Sequence, residues 1–183
     1  MNVFYTDPSP VVAARNLCNI HVTKMIVESA QLLSAAHRMK DDGAYADRND
    51  LYRLTHQGHP CAVWVCASSQ HYLWVYEHLC ELIRITEEAS GKRHKTHDIL
   101  AALRHVPAEI EYEGFTAPPM VIPEHLKKHA VFGGREEAYR QYLIEKYTEW
   151  MTRTDKRRMM VTFPCGIPEW YTGPHGKPDR SGQ

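Results

Sequence analysis

Apolar residues return at helical spacing through three long stretches of this chain, and nowhere does a strand-like alternation last beyond a few residues. That pattern predicts an all-α fold: an irregular bundle of about four to five helices with long connecting loops. The first stretch carries Val22, Met25, Ile26, Leu32 and Leu33. The second carries Val63, Tyr72, Leu73, Val75, Tyr76, Leu79, Leu82 and Ile83, and the third Tyr139, Leu143, Tyr147 and Trp150.

Local punctuation sets the expected boundaries. Val3-Phe4-Tyr5 is a short apolar start, ended by Asp7-Pro8-Ser9-Pro10, where the second proline suits a helix's first turn. A short helix to about Cys18 follows, then a helix from about Ile20 to Met39 that Asn19 can cap. Residues 41–50 are polar and read as an excursion loop. One long helix is expected from about Cys61 to Ala89, interrupted near Ser68-Ser69 and closed by Gly91. Thr96 can cap a third, from His97 to about His105, stopped by Pro107. Four prolines make 107–134 an irregular connector that wraps the helices, pinned by Phe115 and Met120, before a last helix from Arg135 to Arg153.

A length of 183 residues fits a single helical domain, 1–183, with a basic, aromatic tail at 151–183. The hydrophobic fraction of 43% excludes a disordered chain, and no apolar run reaches the length of a membrane span. The start lacks the basic and apolar blocks of a signal peptide, so no membrane association and a cytoplasmic location are expected. The five cysteines, at 18, 61, 66, 80 and 165, show no C-x-x-C spacing and read as reduced core residues. Basic and acidic residues balance at 22 each, so no global field attracts nucleic acid, and any polyanion must meet a local patch.

The second helix carries the densest chemistry. At about 3.6 residues per turn, His21, Lys24, Glu28 and Gln31 share one stripe amid apolar residues. An enclosed stripe of this kind has its pKa values set by neighbours, which is what an acid, base or amine nucleophile needs. The plainer reading is a surface Lys24–Glu28 pair at i, i+4, contributing about 0.2–0.5 kcal/mol. His56/His59 and His94/His97 make two H-x-x-H pairs, which chance clustering among 12 histidines explains better than a metal site. Gly58-His59-Pro60 opens a helix and can hold a phosphate, or is an ordinary helix start. In the tail, Arg153, Lys156, Arg157 and Arg158 precede Pro168-Glu169-Trp170-Tyr171, and cations interleaved with rings suit nucleic acid, though a packed helix end has the same composition.

Three of these segments, in this order, resemble the pyrimidine-dimer DNA glycosylases of the phage endonuclease V type. His21 lies seven residues before Glu28, as a histidine precedes that family's catalytic glutamate. Gly58-His59 then opens a long helix, and Pro168-Glu169-Trp170-Tyr171 is similar to the family's C-terminal segment at the DNA. The resemblance implies a DNA N-glycosylase acting on damaged or modified pyrimidines, with or without AP-lyase activity, needing no cofactor or metal. DNA, duplex or single-stranded, or a nucleotide would be the partner.

Glu28 would be the catalytic carboxylate. His21, Gln31, His59, Arg157, Arg158, Trp170 and Tyr171 would contact substrate. The family's nucleophile is the main-chain amine. Here Asn2 is too large for efficient removal of the initiator methionine, so Met1 is expected to supply it one residue out of register; Lys24 is a second candidate. If neither reaches the sugar, Glu28 can activate water. The chain departs from the family in its neutral charge, the added loop at 41–50 and the connector at 107–134. Those departures keep open another base- or nucleotide-modifying enzyme of the phage hypermodification type, or a non-catalytic nucleic-acid-binding module. The sequence leaves the oligomeric state open.

Overall fold

The computed structural model describes residues 1–41 and 43–176. Position 42 of the 41–50 segment and residues 177–183 of the tail lie outside them. Among the described residues all regular structure is helical: α1 (Pro10–Arg15), α2 (Asn19–Lys40), α3 (Ala44–Arg48), α4 (Pro60–Val65), α5 (Ser69–Ser90), α6 (Leu100–Leu103), α7 (Glu124–Lys127) and α8 (Ala130–Thr152). A one-turn 3-10 helix, Lys95–Ile99, leads into α6. Three helices are long, and the other five have six residues or fewer. No helix is long and apolar enough to cross a membrane among those residues.

The helices α2 and α5 form the central pair, with α1 packed on α5, and α4 on both. Val22, Met25, Ile26, Leu32 and Leu33 of α2 bury their side chains, as do Tyr72, Val75, Leu79, Leu82 and Ile83 of α5. Each such side chain contributes about 1.5–3 kcal/mol over an exposed one, so this seam dominates the core. From the other side α8 meets α2 through rings, with Tyr147 and Trp150 against His21.

Several boundaries differ from expectation for local reasons. Cys18, not Asn19, is the cap position of α2; the Asn19 side chain instead ties the helix start to the tail, donating to Met160 O and accepting from Thr162 N. The long second stretch is two helices, because Ser68 turns extended and its hydroxyl caps α5 at Gln70 N. Gly91 closes α5 in the left-handed conformation (φ 64°), as expected of a glycine at that position. His94, not Thr96, caps the next segment through its ring nitrogen, while Thr96 is buried against Tyr52. The 41–50 excursion contains α3, whose Asp47 accepts from Arg38 of α2. In α8 a non-helical Gly134 (φ 71°) separates a first turn from the regular run at Arg135, where the last helix was expected.

The connector wraps the helices, and the expected residues take part in holding it: Phe115, though partly exposed, packs on the rings of Tyr5, Trp64 and His71, and Met120 is half-buried against the core. Lacking a hydrogen-bond ladder, this backbone is satisfied by side chains reaching in: Trp64 Nε1 and Thr116 O, Tyr139 OH and Pro119 O, Arg135 and Ala117 O, Asn2 Nδ2 and Val121 O. The last of these bonds anchors the start of the chain. Residues 2–6 are buried there, their path fixed by α2, α8 and the connector.

Candidate active site

Asn2 begins the site. Its Oδ1 accepts from Val3 N (2.8 Å) and Phe4 N (3.4 Å), bending the backbone, while Nδ2 donates to Val121 O (2.8 Å). Phe4 then adopts φ 47°, a left-handed conformation that costs a bulky residue on the order of 1–3 kcal/mol. Ring packing offsets that strain: Phe4 stacks on His21 with centroids 4.3 Å apart and lies against Tyr142 and Tyr139. Bent back in this way, the chain brings the Met1 nitrogen to 3.7 Å from Glu28 Oε2.

Glu28 sits between two cations. Its other oxygen, Oε1, lies 3.4 Å from Lys24 Nζ, so the i, i+4 pair read from the sequence is present. Exposure separates the partners, the Glu28 side chain being 17% accessible and that of Lys24 61%. The stripe is therefore graded rather than enclosed. His21 is at its floor, Glu28 is half-buried, and Lys24 is a solvated side chain. Gln31, one turn beyond Glu28, is half-buried, and no hydrogen bond occupies its carboxamide among the described residues.

At the start of α4, His59 and Cys61 lie within electrostatic reach of Met1 and Glu28. Burial, then the Met1 ammonium and His56, hold the His59 imidazole below its ordinary value, with Glu28 pulling the other way. Burial pushes the Cys61 thiol up to about 12, the Met1 ammonium opposing and Glu28 reinforcing, so it is a neutral wall and not a nucleophile. The charges of Met1 and Glu28 thus reach both His59 and Cys61.

The phosphate reading of this helix start needs correction. His59 Nδ1 accepts from Cys61 N, the His59 carbonyl accepts from Ala62 N and Val63 N, and Pro60 has no N–H, so the opening amides are already used. With Nδ1 accepting, the ring carries its proton on Nε2, which is left for other partners.

His21, expected to contact substrate, is buried in this structure. Its side chain is 1% exposed, stacked under Phe4, with Nδ1 2.8 Å from Tyr147 OH. Burial, with Lys146 and Lys24 nearby, holds its imidazole down at about 3, so it is a neutral packing group. Tyr171 is likewise buried, on Tyr147 and Phe163, donating to Pro174 O. Trp170 is partly buried against the core. Arg157 is exposed, but is held to Asp155 together with Arg153, and Arg158 donates to Met151 O. Among the described residues, therefore, Arg153 and Arg157 of the tail are partly neutralised by Asp155, and the tail's rings Tyr171 and Trp170 are packed rather than free. Cys165 is exposed, unlike Cys18 and Cys61, and all five cysteines are free thiols.

Two partners escaped the sequence reading. Asn2 was read only as a barrier to methionine removal, and Tyr147 only as a core position. An Asx turn has a signature, an Asn followed by residues whose amides it can take, but nothing local says that a chain terminus will be buried. Comparison of the sequence with protein-family models gives no match, and no curated protein or solved structure is similar to it.

Proposed function

We propose that the protein is a DNA N-glycosylase acting on damaged or modified pyrimidines, with the Met1 nitrogen as nucleophile and Glu28 as catalytic carboxylate. The observation that supports this most is the Met1 nitrogen held 3.7 Å from Oε2 of the half-buried Glu28. A chain start is ordinarily frayed, and one buried against a carboxylate is costly to order without a use.

The chemistry follows from those groups. Glu28 takes a proton from the Met1 ammonium, and the nitrogen lone pair bonds to the sugar's C1′. The C1′–base bond breaks, and the base leaves with its electron pair and takes the proton held by Glu28, which becomes a carboxylate again. The second proton of the new C1′ ammonium passes to the ring oxygen as the C1′–O bond breaks, leaving a protonated imine on Met1. Glu28 then takes a C2′ proton, a C1′–C2′ enamine forms, and the 3′ phosphate leaves with the C3′–O electron pair. Through the cationic stages the Glu28 carboxylate opposes the positive charge from a site of reduced solvation. Lys24 and the His59 Nε2–H act as phosphate or base contacts, and the Gln31 carboxamide can pair with a base edge.

A base-release assay across a panel of damaged and modified pyrimidines in DNA tests the reading. Release of at least one base by the wild type, lost in Glu28→Gln, is the expected result. Release unaffected by Glu28→Gln would remove Glu28 from the chemistry.

A further inference from the structure

We propose that Asn2 is the positioning residue of this site, its carboxamide aiming the Met1 nitrogen at Glu28 through a turn that Phe4 locks. The inference rests on the reading of Met1 as the nucleophile. Asn2 is buried, and both ends of its carboxamide are engaged, the oxygen with two amides of its own turn and the nitrogen with Val121 O of the connector. Those bonds tie the start of the chain to the connector and so fix where residue 1 points. Phe4 adds the second constraint. A left-handed φ at a phenylalanine persists only where its surroundings over-determine it, and here the His21 stack and the Thr6 N to Phe4 O bond do so. His21 thereby acts on the site at one remove, through the ring above it.

Register follows from the same turn. A chain lacking Met1 would present its nitrogen one residue back, about 3–3.6 Å from the present one and rooted under the Val121 bond. Asn2 thus makes residue 1, and not residue 2, the one that reaches Glu28. Displacements of this size are enough to cost a nucleophile much of its rate, since reacting atoms must approach within about 3–3.5 Å.

Two measurements on the full-length protein test this. The first is labelling of the Met1 amine by acetic anhydride, scored by peptide mass against Lys24; it requires no activity. Asn2→Leu, which removes the carboxamide but is large enough to keep Met1 in place, should raise the Met1 signal at least threefold. The second is single-turnover formation of the borohydride-trapped adduct on abasic duplex DNA. It should slow tenfold or more in Asn2→Leu, with Kd for that DNA within twofold of wild type. Asn2→Asp keeps the acceptor for the turn but loses the donor to Val121, and should fall between wild type and Asn2→Leu. Phe4→Gly accepts the φ but lacks the ring, and provides a second variant if Asn2→Leu melts early; it should slow trapping likewise. Wild-type labelling and wild-type trapping in Asn2→Leu would overturn the proposal. A wild type that traps no DNA, with Met1 labelling still raised in Asn2→Leu, would instead overturn the nucleophile reading, and the catalytic meaning of Asn2 with it.

Discussion

Glu28 carries the account at the scale of single residues, and its environment separates catalytic from structural loss. The carboxylate faces Met1 N and Lys24 Nζ at 3.7 and 3.4 Å, and partly exposed pairs of this kind contribute at most about 1 kcal/mol to folding. Glu28→Gln should therefore leave the melting temperature nearly unchanged while lowering base release on the order of 10²-fold or more. A parallel fall of both, followed by circular dichroism and the release assay, would make Glu28 a structural residue. The Lys24–Glu28 pair was legible in the sequence because i, i+4 spacing fixes it locally. The proximity of Met1 entered only through a family resemblance, and the burial of His21 was hidden. His21 faces inward because residues 2–6 lie over α2, and no local pattern announces that.

At the scale of elements, caps and stitches decide where helices stop and how the connector is held. The Ser68 hydroxyl accepts from Gln70 N and donates to Gly114 O, joining the start of α5 to the connector. Ser68→Ala should cost about 1–2 kcal/mol in urea unfolding, whereas an unchanged midpoint would mean that water replaces both bonds. Gly91 sits at φ 64°, so Gly91→Ala should lower stability by about 1 kcal/mol, read as a fall of roughly 2–4 °C in Tm. The three long helices could be read from apolar periodicity, and Gly91 from its chemistry. The split between α4 and α5 was placed to within a residue or two by Ser68-Ser69. By contrast α3 and α7 are a turn or so long, too short to show a period, and depend on tertiary bonds such as Arg38 to Asp47.

For the whole molecule, the histidines tie stability to pH. His21 and His78 are buried and held down at about 3, His78 by burial alone, stacked on Trp74. The folded state refuses a proton that the unfolded chain accepts below about pH 6.5. Stability is thus fully present above pH 6.5 and falls as pH drops toward 3, by about 1.4 kcal/mol per pH unit for each histidine. Both histidines act in the same direction, so stability should fall steadily through that window as the pH drops. Replacing His78 with Phe should move the acid midpoint, followed by tryptophan fluorescence, to lower pH; an unmoved midpoint would assign acid lability elsewhere.

The central claim is that the Met1 nitrogen is the group that attacks. Peptide mass mapping of the borohydride-trapped protein–DNA adduct tests it most directly. The account predicts the sugar remnant on the α-nitrogen of Met1, with the adduct lost when that amine is blocked and still formed, at a reduced rate, in Lys24→Ala. A remnant on the Lys24 side chain, or base release with no adduct at any residue, would contradict it.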